Sequence, residues 1–285
     1  MKNNINLPPL KKEIMKHLNW KKILPHIIAI AIFLVVAIVY CKPALEGQVL
    51  QQNDITQWKS MAQNQNLALE KNGKVPLWSN GMFSGMPGYM IVGQTNNYVP
   101  YYFMQIISLN LPKPFQFFFL ACVCFYFLSQ VLKTNSWIGT IGSLCYAYAT
   151  YNVVIVAEGH DTKMLSIALL PGLIAAILLI FNKKYWWGIA LTAIFTGAMI
   201  GQKHYQITYY AMLIIAFMTL SFVIKWILNK EYKHLLMAAI FTLAGATIGA
   251  LTNAVVLLPD NEYTKESIRG GSILAEKKKK NTKEG

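Results

Sequence analysis

An all-α, polytopic transmembrane helix bundle of about seven spans is the fold this sequence predicts, and three observations predict it. Hydrophobic residues make up 55% of the 285-residue chain and charged residues only 13%. The mean hydropathy of +0.37 is too apolar for an ordinary soluble domain of that length. The apolar residues are gathered into runs long enough to cross a hydrocarbon layer of roughly 30 Å, which takes about 20 residues of helix. The basic residues behind the net charge of +14 sit between those runs rather than along one face, so they read as topology signals and not as a nucleic-acid surface.

In chain order the runs are 22–41, 115–132, 137–156, 164–181, 185–201, 205–228 and 235–258. The first follows Lys2, Lys11, Lys12, Lys16, Lys21 and Lys22, as a secretory signal would. No small-x-small cleavage site follows Tyr40, so the run is read as a retained anchor. With the N-terminus inside, Lys133, Lys183, Lys184, Lys225, Lys230 and Lys233 also fall in the cytoplasm, while the outer segments hold most of the acids. Residues 1–21 are then a basic cytoplasmic terminus. Residues 22–258 form the bundle, with the outer loop 43–114 inserted, and 259–285 form an extracytoplasmic tail. The polar knot Gln202-Lys203-His204 is a turn or a helix break between the fifth and sixth runs. Cys41, Cys122, Cys124 and Cys145 lie in or beside apolar runs with no zinc-like spacing.

The outer loop is too long for a plain connection, and its composition favours order. Trp58, Trp78, Phe83 and Tyr89 punctuate it, and 76–89 interleaves aromatics with glycine and proline as tight packed turns do. Residues 98–109 are apolar but too short to span, which predicts an interfacial or re-entrant helix.

Four places could carry chemistry. Asp54 follows the first run by about a dozen residues, within reach of a membrane-surface site, although a loop aspartate is often only a solvated charge. Glu158-Gly159-His160-Asp161-Thr162-Lys163 compresses ionisable groups between two apolar runs, where a minimal turn would do. There Glu158 and Asp161 can orient a hydroxyl or a divalent cation, His160 can shuttle a proton, and Lys163 can hold a phosphate oxygen; a water-exposed turn is the plainer alternative. Lys203 and His204 form a second external knot. Gln206, Tyr209 and Tyr210 follow on one helix face suited to a polar cavity inside the bundle, or else to an interfacial tyrosine belt. Asp260 and Glu262 read as a helix-end cluster.

The retained first helix, Asp54-Ile55-Thr56-Gln57-Trp58, the turns Pro76-Leu77-Trp78 and Gly81-Met82-Phe83-Ser84-Gly85-Met86-Pro87, and the Glu158 to Lys163 stretch together resemble the YfhO-like bacterial membrane proteins of the wider GT-C glycosyltransferases, over residues 22–272. The resemblance implies a GT-C-like multi-pass protein of the bacterial cytoplasmic (inner) membrane. Its activity would move a sugar from a polyprenyl-phosphate carrier in the membrane lipid to an envelope glycan or polymer acceptor, with inversion. Asp54 is then the expected base, with Glu158 and His160 beside it as catalytic residues. Lys163, Lys203, His204, Gln206, Tyr209 and Trp78 are expected to bind substrate, the cations offsetting charge on the departing phosphate. Family members are longer, and here Ile273-Leu274-Ala275-Glu276 runs into Lys277 to Lys280, so the chain reads as an N-terminal portion. A membrane transporter or flippase, or a non-catalytic envelope assembly protein, are the alternatives of different class.

Overall fold

The computed structural model of the chain describes residues 20–92 and 98–267. Lys2, Lys11, Lys12 and Lys16 of the basic terminus, and the tail from 268 onward with its lysine run, lie outside the described residues. Helix α1 (Trp20–Tyr40) is followed by the short α2 (Lys42–Leu45), then by α3 (Asn53–Met61) and α4 (Gln63–Asn72) of the outer loop. Strands β1 (Trp78–Ser79) and β2 (Met86–Pro87) pair antiparallel, Trp78 opposite Pro87, and a 3₁₀ turn covers Gly88–Met90. The rest is helical: α5 (Tyr98–Ile107), α6 (Phe115–Val131), α7 (Ser136–Ala147), α8 (Thr150–Glu158), α9 (Asp161–Phe181), α10 (Tyr185–Gly201), α11 (Tyr205–Leu228), α12 (Tyr232–Leu251) and α13 (Ala254–Glu266).

Four of these helices, α1, α9, α11 and α12, are long and apolar enough to cross a membrane, and a fifth span results if the bent pair α7 and α8 is one crossing. Helices α6 and α10 are equally apolar but have 17 residues each, about 26 Å at 1.5 Å per residue and so a few ångströms short of the hydrocarbon layer. The run 137–156, expected as one helix, is broken at Tyr148 and Ala149, with a bend of 40° between its halves. Ala149 is extended (ψ 139°), and the Asn152 amide donates to the carbonyls of Tyr146 and Ala147 that the break exposes, at 2.8 and 3.3 Å. The last run, expected to continue to Leu258, is also divided. Helix α12 stops at Leu251, and Asn253 anchors the break by donating to the Gly197 and Gly249 carbonyls at 3.0 and 3.3 Å.

Four helices, α6, α9, α10 and α11, end on a lysine in the left-handed region: Lys133, Lys183, Lys203 and Lys230, with φ between 56° and 64°. The residue after three of them returns its N–H to the last turn, Thr134 to Ser129, Lys184 to Leu179 and Glu231 to Trp226, which satisfies carbonyls a helix end leaves open. These lysines therefore terminate helices.

Helix α9 is the axle of the bundle, flanked by α6 and α10, with 89% of its most apolar stretch buried against 11% for α11. Helices α10 and α12 approach closely because small residues face each other. A Cβ on Gly249 would lie 2.5 Å from the Ala193 carbonyl, and one on Gly245 would meet Thr192 at 3.0 Å. Helix α5 is docked rather than adrift on the surface: Phe103 meets Phe195 edge to face at 5.2 Å, and Gln116 at the start of α6 donates to Gln105 and Ser108.

Candidate functional site

The residues singled out in the outer loop and in the α8–α9 link meet on the face of the bundle that carries the loop. Gln52, extended, precedes α3, and its Nε2–H donates to the Val156 carbonyl at 2.5 Å. That bond fastens the start of α3 to the last turn of α8, on a carbonyl that also accepts from the Gly159 N–H at 3.2 Å. Asp54 falls in the first turn of α3, where the N-terminal end of the helix dipole favours a carboxylate. Gly159, in the left-handed region at φ 94°, ends α8 and lies against this turn. A Cβ there would stand 2.9 Å from Ile55 Cγ1 and 3.1 Å from Gln52 Cβ. The close approach allowed by Gly159 brings His160 Nδ1 to 3.1 Å from Asp54 Oδ2. Both side chains stay about half exposed, so the pair is open to a ligand. A neutral His160 donating Nδ1–H to Asp54 presents Nε2 as an acceptor.

His204 and Lys163 close the cluster. Burial holds the His204 imidazole below its ordinary value, and the Lys163 ammonium and His160 push it the same way. His204 is accordingly neutral near pH 7. Its Nε2 is enclosed without a hydrogen-bond partner. The Lys163 ammonium sits over the Tyr151 ring, 5.1 Å from its centroid.

Beside this cluster, Lys113 Nζ bonds Asp161 Oδ2 at 2.5 Å, with the carboxylate mostly buried and its Oδ1 lacking a partner. The pair borders a cavity of about 470 Å³ formed by the end of α1, α2, the strand of chain leading to Gln52, and the loop-face ends of α6 and α8. Its walls are apolar, with Tyr40, Phe117, Phe118, Val153 and Val156 among them. Sequence reasoning named Asp161 but missed Lys113, because nothing near Pro112-Lys113-Pro114 signals a partner in α9.

Other expected site residues are dispersed. Lys203 turns away from His204 and donates to the Tyr89 carbonyl at 3.5 Å. Burial lowers its ammonium below the usual value, and Asp260 opposes that shift. Asp260, expected as a mere helix-end charge, is nearly buried and accepts from Tyr205 Oη at 2.7 Å. The face Gln206, Tyr209 and Tyr210, read as lining either a polar interior or an interfacial tyrosine belt, is exposed on the outside of α11, with Gln206 donating to Tyr210 at 2.8 Å. The buried positions of α11 are instead Ile207, Ala211 and Trp226. Trp78 is half exposed and packs over Gly85, where a Cβ would fall 2.7 Å from its ring; it braces the hairpin. Glu158 is exposed. Among the described residues no three His, Cys, Asp or Glu side chains converge as a metal ion would require, so the divalent cation considered for Glu158 and Asp161 has no ready-made cage there.

Comparison with protein-family models, with curated proteins and with solved structures gave no match.

Proposed function

We propose that the chain is a GT-C-type membrane glycosyltransferase, or the N-terminal part of one, working on the extracytoplasmic side of a bacterial cytoplasmic membrane. The observation that carries this reading is the Asp54–His160 contact, which joins a loop carboxylate to an imidazole at the membrane end of the bundle, with Lys163 and His204 close by. The donor is a sugar on a polyprenyl phosphate and the acceptor a hydroxyl of an envelope glycan or polymer. Asp54 takes the proton from the acceptor hydroxyl as its oxygen bonds to the anomeric carbon. The carbon–oxygen bond to the phosphate breaks on the opposite side, and its electron pair leaves with the lipid phosphate, inverting the centre. Lys163 offsets the charge that grows on the departing phosphate, while His160 holds the Asp54 carboxylate in place through its Nδ1–H.

In this reading α6, α10 and the bent pair α7 and α8 also cross the bilayer, which gives seven spans. Helix α9 has no ionisable residue beyond its first turn, which favours chemistry at one face over passage of a polar substrate along it. The test is transfer from a radiolabelled polyprenyl-phosphate sugar in membranes containing the full chain. Asp54→Asn is expected to lower the rate by about 10²-fold or more, the usual share of a general base, and Glu158→Gln measures whether that exposed carboxylate takes part. Transfer by Asp54→Asn at the parental rate would overturn the assignment.

A further inference from the structure

We infer that the cavity beside Lys113 is a binding site for the phosphate end of an anionic lipid, with the first part of its chain held between α1, α6 and α8. As a lipid-phosphate site it stands on the cavity itself; as the seat of the donor in sugar transfer it rests on the reading above. The volume of about 470 Å³ is in the range of ligand sites, roughly 300 to 1,000 Å³. The wall chemistry changes sharply from one end to the other. Tyr40, Phe118 and Val156 give an apolar lining, while Lys113 and Asp161 are the ionisable side chains at the rim.

The Lys113 ammonium has three N–H donors, of which Asp161 Oδ2 takes one. With its side chain 59% exposed, the ammonium is held in one orientation and keeps two donors for a ligand. Asp161, at the start of α9 and next in the chain to His160, thus positions the cation. A free phosphate ion would leave the apolar walls unused, and an aliphatic alcohol would fill the walls but offer a single hydroxyl to the donors that Asp161 leaves open on Lys113. A lipid phosphate satisfies both, and the end of α1 at Tyr40 contributes to the apolar lining.

The experiment is a titration of the full chain, solubilised in a maltoside detergent, with dodecyl phosphate, followed by native mass spectrometry. Inorganic phosphate and dodecanol serve as the half-ligands. Saturable binding of dodecyl phosphate is expected, with neither half-ligand competing at equal concentration. Lys113→Gln is expected to weaken binding at least tenfold, and Lys113→Arg to retain it. Leu50→Trp, at an exposed lining position, is expected to block the cavity without disturbing the bundle. Binding unchanged in both Lys113→Gln and Leu50→Trp, or full competition by inorganic phosphate, would overturn the inference. Asp54→Asn separates the two claims, since it is expected to abolish transfer and leave dodecyl phosphate binding intact. A parent chain that binds in a Lys113-dependent way but transfers no sugar would overturn the transferase reading and support the lipid site.

Discussion

The Gln52 side chain is bonded to the Val156 carbonyl, so the first turn of α3 and the last turn of α8 move as one unit. Asp54 and His160 sit on either side of that bond, two residues after Gln52 and four after Val156, and their contact at 3.1 Å depends on it.

Gly159 is the most sensitive position in this joint. Gly159→Ala adds a Cβ in the left-handed region, costing about 1–2 kcal/mol, and drives it against Ile55. A lowered unfolding midpoint is expected. An unchanged midpoint would mean that α3 is not seated on α8.

His204 makes stability depend on pH with a definite sign. Its folded-state value is depressed, so the unfolded chain takes up the proton more readily than the folded one. The stability due to neutral His204 is complete above about pH 6.5 and declines as the pH falls from there through the folded-state value. The unfolding midpoint of the parent is expected to drop more between pH 7.5 and 5.5 than that of His204→Gln. Equal drops would remove His204 as the cause.

On the opposite face, His234 has its tautomer fixed by two bonds: Nε2–H donates to the Phe181 carbonyl at 2.9 Å, and Nδ1 accepts from Tyr185 Oη at 2.6 Å. Tyr185→Phe strands a buried acceptor and is expected to cost about 1 kcal/mol while leaving transfer and lipid binding unchanged. Loss of activity at full stability would show that the two faces are coupled.

Lys133 adopts φ 60° after α6, a conformation that glycine holds without steric cost. Lys133→Gly is therefore expected to stabilise the chain by about 0.5–1 kcal/mol, read as a higher unfolding midpoint. A decrease would mean that the ammonium contributes more than the backbone strain.

The ends of α10 and α11 were legible in the sequence, because charged turns bound apolar runs on both sides and the helices begin and end where those runs do. The break at Tyr148 and Ala149 was not, since neither residue is a helix breaker and the decisive signal is Asn152, whose amide caps backwards. Asp54 and His160 were each visible as ionisable residues beside apolar runs, but only folding shows that they touch. The orientation of α11 stayed open between two readings for a physical reason. Gln206, Tyr209 and Tyr210 do share a face, yet in a helix apolar nearly all round the period alone does not say which face turns inward. Lys113 escaped notice because its partner lies in α9, far along the chain, with no local pattern to link them.

The enclosure of α9 has a consequence for how the protein responds to its surroundings. In the membrane-spanning reading, a thinner or thicker bilayer strains the helices that touch acyl chains, which would be α1, α11 and α12, whose apolar stretches are mostly uncovered. Helix α9, which presents His160, Asp161 and Lys163 at its head, is sheathed by α6 and α10 and is gripped by protein alone. On that reading, in reconstituted membranes of differing acyl length the geometry at the head of α9 is expected to be insulated from lipid thickness, while the cavity walled in part by the end of α1 is expected to respond to it.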